Sequence, residues 1–203
     1  MFKLEPCDVL LHVNEDKGWT AVISRWGIGR YGHASMYLGV VFGRCPIMFE
    51  STGRGCAIHS LQHHFGDLVT VMRPQIDTSL QPVIDNAIEL ASSDKGYYDY
   101  IAIAKSCIPR VLKEKFPWLP IPVKYHRDPA MICSEAVAEC FWRADIEILP
   151  KDVVPLPGDF LKSLMLYQVY EGRLLKDILP YDAAGTGRIL RSFVYGPTWT
   201  DPG

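Results

Sequence analysis

Cys133 and His33 are the two residues of this chain whose types and settings fit nucleophilic catalysis. A thiol attacks only as thiolate. A helix N-terminus, above all beside an imidazolium, lowers its pKa from about 8.5 into the range of roughly 3.5 to 7.5. Cys133, Ala136, Val137, Cys140 and Phe141 recur at the spacing of one helix face, which sets Cys133 in the first turns with its side chain inward. Two starts compete. Asp128-Pro129 supplies a cap and first residue, whereas Ser134 could cap a later start that leaves Cys133 at the tip. On the pattern alone, an inert core cysteine is the commoner case.

A thiolate needs a base. His33 stands out among six histidines because it follows the turn Gly27-Ile28-Gly29-Arg30-Tyr31-Gly32 and opens a strand, and strand ends beside loops often carry function. A third group must orient the imidazole, and Glu50, at the far end of the next expected strand, is the nearest acid. A hairpin turn at Gly43-Arg44 sets Glu50 opposite Tyr37, on the sheet face of His33 but too far from it. A bulge or a longer loop has to bring it up. The alternative for Glu50 is a solvated strand-end carboxylate.

Other polar residues divide by their surroundings. Tyr31 and Arg30, just before His33, and Tyr98, at a helix start that Asp99 can cap, are candidates to line the substrate cleft, as is Ser134 beside the nucleophile. His59, His63 and His64, with Cys56 nearby, have a spacing that would suit a metal on a helix, but no paired cysteine completes a closed zinc set. A surface helix or loop explains them better. His12 and His126 have no identifiable partner in the sequence and read as structural histidines.

The elements that must position these residues follow from periodicity. Asp8 to Val13 reads as a strand, Trp19 to Trp26 as a short helix, His33 to Phe42 and Ile47 to Phe49 as two antiparallel strands, and Leu68 to Met72 as a third. Leu80, Val83, Ile84, Ala87, Ile88 and Ala91 trace one apolar helix face, with Thr78 or Ser79 as cap and Gly96 as stop. A second helix is expected from Asp99 toward Leu112, before the proline-rich stretch from Phe116 to Pro122, and the Cys133 helix is the third. A short helix after Pro157 and a strand from Tyr167 to Tyr170 complete the pattern.

With 203 residues, 48% hydrophobic and 22% charged, the chain suits a single domain spanning 1–203 with one sizeable core. A net charge of −2 without a basic stripe argues against a nucleic-acid partner. There is no apolar run of transmembrane length and no signal-like start, so a cytoplasmic location is the default reading. Six scattered cysteines without a C-x-x-C pair fit reduced, mostly buried thiols.

Five blocks carry a resemblance. Pro6-Cys7-Asp8-Val9-Leu10-Leu11, Gly32-His33-Ala34-Ser35-Met36-Tyr37-Leu38-Gly39, Glu50-Ser51, Gly96-Tyr97-Tyr98-Asp99 and Cys133-Ser134-Glu135-Ala136-Val137 resemble, in order, the blocks of circularly permuted NlpC/P60 proteins of the YiiX and YebB type. In that group the histidine strand and the acidic residue precede the cysteine helix. The sequence departs from the pattern at Cys7, where the group usually has Gly, and at Gly32, where Ser is frequent; the segment from Lys105 to Ala130 is longer than usual. The resemblance implies an α+β papain-like fold, with an antiparallel, partly closed sheet packed against helices. It also implies Cys133 as nucleophile, His33 as base and Glu50 as orienting acid. The expected activity is cleavage of an amide in a peptide or peptidoglycan-type substrate through a thioester. Lipid-directed acyl transfer and an inactive binding module are the alternatives. No cofactor and no metal are implied, and the oligomeric state is left open.

Overall fold

The computed structural model describes residues 2–14, 30–42, 45–93, 116, 118 and 131–179. Six strands form one antiparallel sheet: β1 (Val9–Val13), β2 (Tyr31–Val41), β3 (Cys45–Thr52), β4 (Gly55–Ser60), β5 (Leu68–Pro74) and β6 (Leu166–Arg173), in the order β4-β3-β2-β1-β5-β6. Helices α1 (Gln81–Ser92) and α2 (Cys133–Trp142) pack on one face. The α+β class agrees with the sequence, but the expected partial closure does not. Strands β2, β3 and β4 build outward on one side of β1 while β5 and β6 build outward on the other, so β4 and β6 become opposite edges of an open sheet.

Strand alternation splits the interior into two layers. Val9, Leu11, Ala34, Met36 and Phe49 face the helices, whereas Leu10, Tyr37, Met48, Val69 and Val71 face the opposite layer, closed by Leu4, Leu61, Leu174 and Ile178. By the same alternation His12, His33, Ser35 and Glu50 belong to the second layer. Cys7 takes up the left-handed backbone that favours glycine, at φ 71°, and its N–H donates to the Tyr37 carbonyl at 2.8 Å. The resemblance-based departure at Cys7 therefore falls where a glycine would be the natural choice.

The β2–β3 register decides where Glu50 goes. Val41 pairs with Cys45 and Val40 with Pro46, but the count slips between Tyr37 and Gly39, so Tyr37 pairs with Met48 and Met36 with Phe49. Gly39, at φ 127°, accommodates the irregularity. The slip carries Glu50 toward the start of β2. The ladder stops at Met36–Phe49 although β2 extends back to Tyr31 and β3 on to Thr52, so the strand ends part beside His33 and Glu50.

Helix α1 buries Val83, Ile84 and Ala87 of its expected apolar face and Leu90 besides, with Ile88 and Ala91 half-buried and Pro82 in the first turn. Its N-cap is Leu80 and not Thr78 or Ser79, although Ser79 Oγ accepts the Gln81 N–H at 3.3 Å, and it ends at Ser92, short of Gly96. Helix α2 begins at Cys133 itself. Its N-cap, Ile132, is extended and gives no side-chain hydrogen bond, so Ser134 is not the cap. Instead, Ser51 Oγ donates to the Met131 carbonyl at 2.8 Å and Ser134 Oγ to the Pro155 carbonyl at 2.7 Å, pinning the helix start to β3 and to a later loop. Ala136, Val137, Cys140 and Phe141 are fully buried, and side chains such as Val137 and Phe141 each contribute about 1.5 to 3 kcal/mol by that burial. Asn86 Nδ2 joins the helices by donating to the Cys140 carbonyl at 3.0 Å.

The sequence did not announce β4, nor the 3-10 turn Leu61–His64 that Ser60 caps. The helices expected at Trp19 to Trp26 and from Asp99 lie outside the described residues. None of the helices among the described residues is long and apolar enough to cross a membrane.

Candidate active site

At the parted ends of β2 and β3, Cys133, His33 and Glu50 form a continuous hydrogen-bonded row. His33 Nε2 lies 2.6 Å from Glu50 Oε2, and the imidazole is also hydrogen-bonded to the Cys133 thiol. Because Glu50 occupies Nε2, Nδ1 is the nitrogen left for sulfur. Backbone N–H groups of Ala34 and Ser134 also point to Cys133 Sγ. The Ala34 donor is available where the β2–β3 ladder has ended.

Electrostatics favours the charged pair. Burial opposes a thiolate at Cys133, but the His33 imidazolium, its hydrogen bond and the two backbone N–H groups outweigh burial and lower the thiol pKa. Burial also opposes the imidazolium of His33; the Cys133 thiolate and Glu50 overcome it and raise its pKa to about 10. Glu50 is nearly buried, yet hydrogen bonds from His33 and His64 hold its carboxyl well below the usual range. It is not a solvated strand-end carboxylate. By contrast, burial pushes the thiols of Cys7, Cys56 and Cys140 up. All five described cysteines are free; Cys107 lies outside the described residues.

A second cluster adjoins this row. His12 Nδ1 lies 3.2 Å and His64 Nδ1 2.8 Å from the same oxygen of Asp67, Oδ2. His12 Nε2 meets Ser35 Oγ at 2.9 Å, while His64 Nε2 is 3.6 Å from Glu50 Oε2 and His59 Nε2 is 4.0 Å from Glu50 Oε1. The rings of His12 and His33 stand 5.3 Å apart, and those of His12 and His64 4.6 Å. Next to Glu50 opens a cavity of about 510 Å³ lined by Glu50, Thr52, Gly53, Arg54, His59 and His63.

No protein-family model matches the chain, and no curated protein sequence does. Among solved structures it is similar to the metalloprotein yiiX, DUF1105, from Escherichia coli O157:H7, with a TM-score of 0.58 and 16% identity over 85% of this chain and 100% of that one. The likeness is one of fold. At that identity it transfers no residue roles, so the chemistry rests on the geometry above.

The structure joins three of the sequence-derived candidates and separates the others. Ser134 is fully buried with its hydroxyl on Pro155, which turns it from a substrate contact into a helix anchor. Tyr31 is also buried and its hydroxyl lies 2.8 Å from Thr70 Oγ1; Arg30 lies over its ring and pairs with Glu171. The Tyr31 side chain is committed to the fold, while Arg30 is an exposed side chain in a surface ion pair. Tyr98 and His126 lie outside the described residues. His12, read from sequence as having no partner, has two, and His64 joins it and Asp67 rather than a cluster with His59, His63 and Cys56. Strand alternation put His12 on the His33 face, but Asp67, in a turn, carried no periodic signal.

Proposed function

We propose that the protein is a cysteine-dependent hydrolase of the circularly permuted NlpC/P60, papain-like type, cleaving amide bonds in peptide or peptidoglycan-type substrates. The observation that carries the reading is the row Cys133–His33–Glu50: a thiol at the first residue of a helix, hydrogen-bonded to an imidazole that a buried carboxylate holds at 2.6 Å. The resemblance of the five sequence blocks supports the family.

In this reading Cys133 thiolate adds to the substrate carbonyl carbon. The carbonyl electron pair moves to oxygen, where the backbone N–H of Cys133 or its neighbour stabilises the oxyanion. His33 gives its proton to the departing amine as the C–N bond breaks, leaving a thioester on Cys133. The now neutral His33 takes a proton from water, whose oxygen attacks the thioester, releasing the acid and restoring the thiolate–imidazolium pair. Glu50 keeps the ring oriented and compensates its positive charge. This sequence needs no redox co-reactant.

A second reading, lipid acyl transfer, draws on Phe116 and Trp118, two exposed aromatics packed edge to face at 5.4 Å. Incubation with short acyl-amide peptides and with phospholipid vesicles, followed by intact-mass and peptide mapping, decides between them. A mass adduct on Cys133 from the peptide, absent in Cys133→Ala, supports amide hydrolysis; an acyl adduct only from lipid favours the second reading. Absence of any adduct or turnover with either leaves a binding module.

A further inference from the structure

We propose that His12, His64 and Asp67 form a binding site for a zinc-type divalent cation, with Ser35 hydrogen-bonded to the His12 ring from behind and Glu50 facing the far nitrogen of the His64 ring. Two imidazole nitrogens and one carboxylate, with further positions left to water, are a donor set suited to Zn²⁺ and neighbouring late first-row ions. The sequence pointed to a different set, His59, His63 and His64, and found it incomplete. The cluster joins His12 of β1 to His64 and Asp67, which stand three residues apart at and after the Leu61–His64 turn.

The distances suit a cation. Ligand atoms bound tetrahedrally at about 2.1 Å stand about 3.4 Å from one another. Here Asp67 Oδ2 has His12 Nδ1 at 3.2 Å and His64 Nδ1 at 2.8 Å, and one donor atom from each of the three residues lies within 4.8 Å of the others. Changes of up to about 1.4 Å between ligand atoms convert the present contacts into coordination. Asp67, at 43% side-chain exposure, is the ligand on the solvent side, while His12 is buried.

The outer partners provide the independent observation. A metal takes the lone pair of Nδ1, so each ring must keep its hydrogen on Nε2 and needs an acceptor there. His12 Nε2 has Ser35 Oγ at 2.9 Å, and His64 Nε2 has Glu50 Oε2 at 3.6 Å. Ser35 Oγ is at hydrogen-bond distance, while Glu50 Oε2 is a charged neighbour a little beyond it. With no cation, a doubly protonated His64 donates to Asp67 through Nδ1 and faces Glu50 through Nε2; a cation would replace the Nδ1 proton and leave Nε2–H directed at Glu50. Glu50 then stands between the bound cation and His33, which ties metal occupancy to the candidate catalytic row; only this last link rests on the hydrolase reading.

The test is Co²⁺ titration of the full-length protein after chelator treatment and buffer exchange, read by visible absorption and by equilibrium dialysis. One equivalent of Co²⁺ should bind to the wild type and equally to Cys133→Ala, with a ligand-field spectrum lacking a thiolate charge-transfer band. Asp67→Ala and His64→Ala should each weaken binding by about tenfold or more, Ser35→Ala by about tenfold, and His63→Ala should leave it unchanged. Far-ultraviolet circular dichroism identifies any variant that has not folded; Asp67→Ala removes a side chain from the partly exposed turn and serves as the decisive case. The proposal is overturned by no stoichiometric binding, by a thiolate band that disappears in Cys133→Ala, or by a loss that follows His63 rather than Asp67. Because Cys133→Ala abolishes the hydrolase reading without touching these ligands, a failure of either idea is seen separately.

Discussion

His33 and His64 converge on the same oxygen of Glu50, at 2.6 Å and 3.6 Å. A carboxylate shared in this way stays ionised although burial opposes its charge. It gives His33 a fixed orientation and a permanent negative neighbour. Glu50 and the two histidines on it come from β3, β2 and the turn before β5, so the orientation is a property of the tertiary structure.

Glu50→Gln should leave the fold intact and lower turnover by about a hundredfold or more, the range typical of losing correct acid–base positioning. The same variant should lower the pKa of His33, readable by NMR of the imidazole. Unchanged turnover with an unchanged His33 titration would remove Glu50 from the mechanism.

Alkylation reports the Cys133–His33 pair directly. The lowered Cys133 pKa makes thiolate available below the usual cysteine range, and the His33 pKa of about 10 sets the upper end of the ion-pair window. The sign is fixed: the pair is lost as pH falls through the Cys133 value and as pH rises through about 10. Limiting iodoacetamide at about pH 6 should therefore modify Cys133 before Cys7, Cys45, Cys56 or Cys140. His33→Ala should slow that labelling by about tenfold for each pKa unit the imidazolium supplies. Equal labelling of several cysteines would make Cys133 an ordinary thiol.

Ser134→Ala separates anchoring from substrate binding. Losing the hydrogen bond to Pro155 strands a buried carbonyl and should cost about 1 to 3 kcal/mol of stability in denaturant unfolding, with KM unchanged for an active substrate. A raised KM at unchanged stability would restore Ser134 as a substrate contact.

His12 gives the metal-free protein an acid-side liability. Burial, helped by His33 and His64, lowers its pKa to about 4 from an ordinary 6.5, so the unfolded chain takes up the proton first. Its contribution is complete above pH 6.5 and declines as pH falls toward about 4, by about 3 kcal/mol. His12→Gln should flatten that part of the stability–pH curve relative to wild type. Parallel curves would show that His12 does not titrate on unfolding.

Much of this site was legible in the sequence, and the misreadings have specific causes. Helix periodicity located Cys133 because one buried face repeats along α2, and strand content located His33. Glu50 was named as the candidate acid, but its distance from His33 depended on the slip at Leu38 and Gly39, which no periodicity announces. Ser134 and Tyr31 sit close in sequence to reacting groups, yet their hydroxyls satisfy Pro155 and Thr70, partners from distant segments. The open sheet was missed for the same reason: which strands become edges depends on pairing across the chain, and β4 itself carried too weak an alternation to be counted.

The division of the sheet into two layers bears on when the thiol becomes dangerous. Cys133 is anchored on the helical side and its activating ring on the other, and they meet only where β2 and β3 have separated. In the proposed hydrolase, activation of Cys133 therefore requires both layers to be assembled, so the reactive pair is a property of the completed fold and not of either layer alone.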